Sequence, residues 1–164
     1  DIATCLSTTI RPLSTMPVMD TQHRPLYVER AFQVKTYDID FAGHVSNIAY
    51  IRWLEDLRLA VLDTYFPLEE QMQAGYAPVL IRTEIDYTSA IRLFEPVVGS
   101  MWATDAGAIR LTLEAEFRVG DRVCARARQQ GVMASLESGR LIRLPRELRE
   151  LVGAGAGTAA GDSR

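Results

Sequence analysis

Within the stretch "TYDIDFAGHVSNIAYIRWLEDLR", residues 36–58, ten residues carry Asp38, Asp40, Gly43, His44 and Asn47. They stand directly between an alternating apolar run and a helical pattern. A carboxylate or an imidazole can move a proton or act as a nucleophile. The start of a helix carries unpaired N–H groups and a partial positive charge, which suits a developing anion. A turn joining a strand to a helix brings such groups together. Asp38 and Asp40 are the candidate carboxylates, and the N–H groups at the helix start near Asn47 the candidate anion donors. Each residue also has a plainer use. Asp38 and Asp40 can form turns, His44 can be structural, and Asn47 can cap the helix. Gly43 permits a positive φ or a close backbone approach.

The flanking elements are legible as patterns. Val28, Arg30, Phe32 and Val34 alternate as in a strand. From Asn47 to Phe66, Ile48, Ile51, Leu54, Leu57 or Arg58, Val61 and Leu62 recur at spacings that predict a helix of about five turns with one buried stripe. Ser46 or Asn47 is its expected cap, and Pro67 lies just past its end. A short loop with Gly75 follows, then strand patterns over "APVLIRTEIDYTSAI", "FEPVVGSMWATDAG", "AIRLTLEAEFRVGDR" and "RVCARARQQGVMASL". "LPRELRELV" reads as a short surface helix opening at Pro145. One strand, one long helix and then an antiparallel meander make an α+β layout, with a curved sheet covering the helix.

The chain has 164 residues, which suits one domain. Residues 1–25 read as a loose extension, 26–152 as the folded domain, and 153–164, rich in Gly and Ala, as a tail too poor in apolar surface to order. Acidic residues outnumber basic ones 21 to 18 without any basic stripe, which argues against nucleic-acid binding. No apolar run reaches the roughly 18 residues of a membrane span. No secretory leader pattern opens the chain, and the expected compartment is the cytoplasm. Cys5 and Cys124 have no metal-ligand spacing, and Cys124 reads as a small buried hydrophobe.

"YDIDFAGHVSNIAYIRWLEDLR" resembles the signature of hotdog-fold acyl-CoA thioesterases of the 4-hydroxybenzoyl-CoA thioesterase type. The matching residues are Asp38, Asp40, Gly43, Asn47 and Tyr50, with Glu55 and Arg58 further down the helix. "GHVSN" is also similar to the "HVNN" of acyl-carrier-protein thioesterases, although Ala42 stands where many of those carry an Asn. The resemblance covers about residues 28–150. It implies a hotdog fold, one long helix wrapped by an antiparallel sheet, and hydrolysis of acyl-CoA or acyl-carrier-protein thioesters. It assigns Asp40 as nucleophile or general base, the helix start near Asn47 as the oxyanion site, and His44 as a helper in catalysis. Gly43, Tyr50 and Arg82 become candidate substrate-binding residues, while Tyr50 and Trp53 also suit packing. Glu55 with Arg58 suits an intrahelical ion pair, although one branch of the family uses a helix Glu in catalysis. Arg82, Arg92 and Arg110 could meet the phosphates of coenzyme A. No metal or redox cofactor is implied, coenzyme A entering as part of the substrate. A homodimer, or a tetramer of two dimers, is implied, with sheets paired edge to edge and each site between subunits. Two other readings stand beside this one. A hotdog hydratase or dehydratase would need a D-x-N-P-x-H pattern that Asp38, Asp40 and His44 do not form. A non-enzymatic acyl-CoA-binding protein would usually carry a DNA-binding segment, and the first 25 residues show no helix–turn–helix pattern.

Overall fold

The computed structural model describes residues 24–156; the expected N-terminal extension up to residue 23 and the tail beyond residue 156 lie outside them. Strand β1 spans Val28–Gln33, helix α1 Asn47–Tyr65, the short α2 Leu68–Gln73, and β2 Tyr76–Tyr87. Strands β3 (Pro96–Ala106), β4 (Arg110–Val119), β5 (Arg122–Ser135) and β6 (Leu141–Ile142) follow, then α3 (Arg146–Ala156). The sheet is antiparallel throughout, ordered β1-β3-β4-β5-β2, with β6 paired to β5. It wraps around α1, as a hotdog fold requires. Register shifts in β2 after Leu80, between β3 and β4 near Ala103, and between β4 and β5 near Phe117 supply the bulges that bend the sheet.

Alternation decides the two faces. Leu113, Ala115 and Phe117 of β4 are buried beneath α1, opposite Gln129, Ala127 and Ala125 of β5. On the other face Glu114 stands opposite Arg128 and Glu116 opposite Arg126, with ion pairs at 3.7 and 3.1 Å. Opposite charges placed across a strand pair favour this register over a slip that would bring like charges together.

Helix α1 is seated by aromatic rings. Phe32 stacks on Trp53 at 5.3 Å between centroids, and Tyr50, Trp53 and Phe117 meet mutually at 5.4–5.7 Å. Such contacts add about 0.5–1.5 kcal/mol per pair beyond area burial. Burial also raises the Tyr50 hydroxyl well above its ordinary range. The buried residues of α1 are Ala49, Tyr50, Trp53, Leu54, Leu57, Ala60 and Val61.

Several expectations change here. Ile48 and Ile51, read as members of the buried stripe, are 64% and 48% exposed. α1 is apolar on two faces, and its own sheet covers only one. The loop before Gly75 contains α2. Helix α3 runs on to Ala156, past the expected domain end at 152, because its last residues are compatible with helix once the first turns are docked through Leu148 and Val152. Arg24 and Pro25, assigned to the extension, already contact β3, with Arg24 over the Trp102 ring at 4.0 Å and the Ala103 N–H donating to the Pro25 carbonyl at 2.8 Å.

Gly99 lets the rings close. A Cβ there would stand 2.6 Å from Phe32 Cε2 and 2.9 Å from Phe117 Cε1. Gly99→Ala should therefore lower the unfolding free energy by about 1–3 kcal/mol, the range for overpacking, as measured by denaturant titration. An unchanged midpoint would mean that the rings do not meet at this glycine.

Candidate active site

A tight turn carries the chain from β1 to α1. Ile39 and Val45 pair as an isolated antiparallel bridge, and the Asp40 N–H donates to the His44 carbonyl at 2.8 Å. Gly43 sits at the tip with φ +78, as its place in the sequence predicts. The turn is fastened at its base by Asp38, only 4% exposed. Its Oδ2 accepts the Lys35 N–H at 2.9 Å, and its carbonyl accepts the Ser46 N–H at 2.7 Å. Asp38 is thus structural, as its position suggests. From the other side the Val45 N–H donates to the Ile91 carbonyl at 2.8 Å.

Asp40 lies on the solvent side of this turn. Its Oδ1 accepts the Ala42 N–H at 2.8 Å and, more weakly, the His44 N–H at 3.4 Å. Oδ2 has no partner recorded among the described residues, so the side chain shapes the turn with one oxygen and keeps the other available. The backbone of His44 closes the turn, and its imidazole is half-buried.

Ser46 occupies the cap position of α1 with extended φ and ψ, but its side chain makes no capping bond. Asn47 is the first helical residue, not the cap. The Ala49 N–H bonds the Ser46 carbonyl at 3.0 Å, which leaves the N–H groups of Asn47 and Ile48 without a recorded acceptor among the described residues. An uncapped helix start next to a carboxylate-bearing turn is an anion-stabilising corner.

The other candidates are distributed differently. Tyr50 is 2% exposed, and its surface is taken up by Trp53, Phe117 and Tyr87, so it supports the site from within the core. Arg82 is exposed on β2 and ion-paired with Glu84. It stands five positions before Tyr87, roughly 16 Å along the strand at about 3.3 Å per residue, so this chain does not bring it to its own helix start. Arg92 is the arginine next to Ile91, and hence next to the site turn. Glu55 and Arg58 form the expected intrahelical pair. Cys124 is fully buried, and burial pushes its thiol away from the thiolate.

The matching family is the one described as the thioesterase-like superfamily, over residues 34–152. The chain belongs to that superfamily. Solved structures share the thioesterase fold. YbaW, a probable thioesterase from Escherichia coli, is 21% identical, with 76% of this chain and 95% of that one aligned at a TM-score of 0.69. The DHNA-CoA thioesterase of Staphylococcus aureus is 18% identical over 78% and 91% of the two chains, at 0.71. A Thermus thermophilus thioesterase complexed with coenzyme A and Zn is 25% identical over 81% and 96%, at 0.67. No curated protein sequence matches the chain significantly. The hotdog thioesterase resemblance is borne out.

Two features of this chain were not anticipated. Arg122, at the start of β5, clamps the loop that holds Val45. It donates to the Ser89 hydroxyl and the Ala90 carbonyl, both at 2.7 Å, and to Glu95 at 2.6 Å. Beyond the middle of α1 a cavity of about 300 Å³ opens between the helix and the sheet, lined mostly by aliphatic side chains but also by Glu55, Arg58 and Gln129. Gln129 lies 71 residues from Arg58 in sequence.

Removing the Asp38 carboxylate would leave the Lys35 N–H without its acceptor at a part-buried site. Asp38→Ala should cost about 1–3 kcal/mol of stability, read by thermal or denaturant unfolding. A neutral effect would show that the turn is not fastened there.

Proposed function

We propose that the protein hydrolyses an acyl-CoA thioester, or its acyl-carrier-protein counterpart, to free acid and thiol. The observation that carries this reading is the uncapped start of α1 beside the Asp40 turn. A thioester carbonyl oxygen set against the N–H of Asn47 meets donors where negative charge develops. Removing such a donor typically costs about 100- to 1000-fold in rate. Asp40, through its free Oδ2, attacks the carbonyl carbon or takes the proton from an attacking water. In the first case the tetrahedral adduct expels the thiolate to leave an acyl-Asp40 anhydride, which water then opens to free acid and Asp40. In the second the water oxygen bonds the carbon and the thiolate leaves in the same sense. His44, across the turn, helps to position the substrate or polarise water. Gly43 leaves open space beside the backbone, with nothing within 4 Å of where a Cβ would lie. Coenzyme A is favoured as carrier because a solved relative is complexed with it, and Arg92 is better placed than Arg82 for its phosphates. The chemistry asks for no metal or redox cofactor.

The working unit in this reading is a homodimer or a pair of dimers. β2 is a twelve-residue edge strand with Val79, Leu80 and Ile81 between 41% and 48% exposed. The exposed stripe of α1 through Ile48 and Ile51 adds to it. An apolar edge of this length invites pairing, and a second copy would cover both and enclose the turn. The proposed compartment is the cytoplasm, in keeping with a free buried Cys124. Among the described residues, no helix is long and apolar enough to cross a membrane.

Asp40→Asn keeps an Oδ1 acceptor for the turn and removes the negative charge. The variant should fold normally by circular dichroism and lose at least about two orders of magnitude of thiol release across an acyl-CoA panel, the usual scale for a positioned acid–base group. Near-normal turnover would take Asp40 out of the mechanism. Label from heavy-oxygen water found in the Asp40 carboxylate after turnover would identify the nucleophilic role, with water opening the anhydride at the Asp40 carbonyl. For the assembly, Ile51→Glu should shift the sedimenting species toward monomer; a monomeric wild type would end the dimer reading.

A further inference from the structure

The cavity behind the middle of α1 has an unusual wall. Leu59, Leu62, Phe66, Leu80, Leu113 and Met133 make it apolar, yet Gln129 is set into it at 2% exposure. An amide buried among aliphatic side chains is costly unless its hydrogen bonds are made. Here the Arg58 Nη1–H donates to Gln129 Oε1 at 2.9 Å, and Gln129 Nε2 donates to Thr83 Oγ1 at 3.0 Å. Arg58, whose side chain is 19% exposed, is also paired with Glu55. Removal from water weakens its hold on the proton, although a guanidinium stays charged at neutral pH. These contacts engage two of the five guanidinium N–H donors and one of the two amide N–H donors. Donors therefore remain at the wall, where they can meet an acceptor brought in by a ligand.

Glu55 and Leu59 line the cavity and continue the exposed stripe that begins at Ile48 near the helix start. Ile48, Ile51, Glu55 and Leu59 follow one another down the exposed face of α1 at spacings of three and four. Glu55 stands about 12 Å along the axis from Asn47, at about 1.5 Å per residue. A medium-length acyl chain whose carbonyl sits at the helix start can run along that stripe, between the helix and the second copy, and enter beside Leu59.

We propose that this cavity selects acyl groups bearing a neutral oxygen, a hydroxyl or oxo group, on the part of the chain that reaches Arg58 and Gln129. The identity of the ligand as an acyl thioester rests on the thioesterase reading. Glu55 already balances the charge of Arg58, so a neutral acceptor fits the wall better than a carboxylate does. An unsubstituted chain leaves the spare donors without partners, which is the basis for discrimination.

The test uses the full chain and medium-chain acyl-CoA substrates of equal length, unsubstituted, hydroxylated toward the end, or ending in a carboxylate. It also uses the corresponding non-hydrolysable thioethers of coenzyme A, with binding followed by calorimetry. The wild type should favour the hydroxylated chain over the plain one by about tenfold in kcat/KM, the scale of one well-placed hydrogen bond. The carboxylate-ended chain should fall below the hydroxylated one. In Arg58→Met and in Gln129→Leu the ratio should fall toward one. A contact that merely ties α1 to β5 would lower stability in these variants and leave the ratio in place. Hydrolysis without a preference in the wild type, a best substrate that ends in a carboxylate, or a ratio unchanged in the variants overturns the proposal. The wild-type ratio decides the matter even if a variant does not fold. If no thioester is cleaved but the thioethers bind with the same preference, the thioesterase reading falls and the selectivity of the cavity stands. Binding without preference removes the proposal.

Discussion

The geometry of the candidate site depends on one buried carboxylate. Asp38 holds the Lys35 N–H with its side chain and the Ser46 N–H with its carbonyl, so the chain enters α1 along a fixed path. That path makes a side-chain cap unnecessary for holding the helix entry. The cap residue is left unbonded through its side chain, and the first N–H groups stay open. A helix that satisfied its own start would have no donors to offer a substrate. The Val45–Ile91 bond and the Arg122 clamp behind it hold the far side of the turn against the path that Asp38 sets.

Behind that corner the aromatic cluster makes α1 a rigid member. Phe32 comes from β1, Tyr50 and Trp53 from α1, Tyr87 from β2 and Phe117 from β4. The rings therefore cross-link three of the six strands to the first half of the helix. The charged outer face does different work. Its cross-strand pairs are partly exposed and contribute little free energy each, but they disfavour a one-residue slip that would turn the inner face outward.

Much of this was legible because it is local. The span of α1, the strands, the turn with Gly43 at its tip and the structural use of Asp38 all follow from periodicity and turn chemistry. The two faces of α1 were not separable that way. Ile48 and Ile51 sit at helical spacing, but spacing does not say which apolar stripe meets the helix's own sheet and which is left for a second surface. Arg82 looked as plausible a ligand for phosphate as Arg92 until the strand placed it far from the turn. Tyr50 belongs to the family signature, and its helical spacing beside Trp53 already suited the packing in which its ring is used. The Arg58–Gln129 contact joins residues 71 apart, and no local pattern announces such a pair.

The long helix links these parts mechanically. Its first turn presents donors, the rest of its first half is locked by rings, and its residues from Glu55 onward line the cavity. An acyl chain gripped near Arg58 would have its carbonyl placed by the distance along that helix. Because the rings prevent the helix from shifting on the sheet, the distance is a fixed property of the fold. Binding energy gathered at the cavity can then orient a carbonyl at the helix start, and accurate placement of reacting atoms is a large part of what an enzyme contributes. A loosely seated helix would bind the same chain but leave the carbonyl free to wander from its donors. In that reading the rigidity of the core becomes part of the chemistry, although none of its side chains would touch the ester.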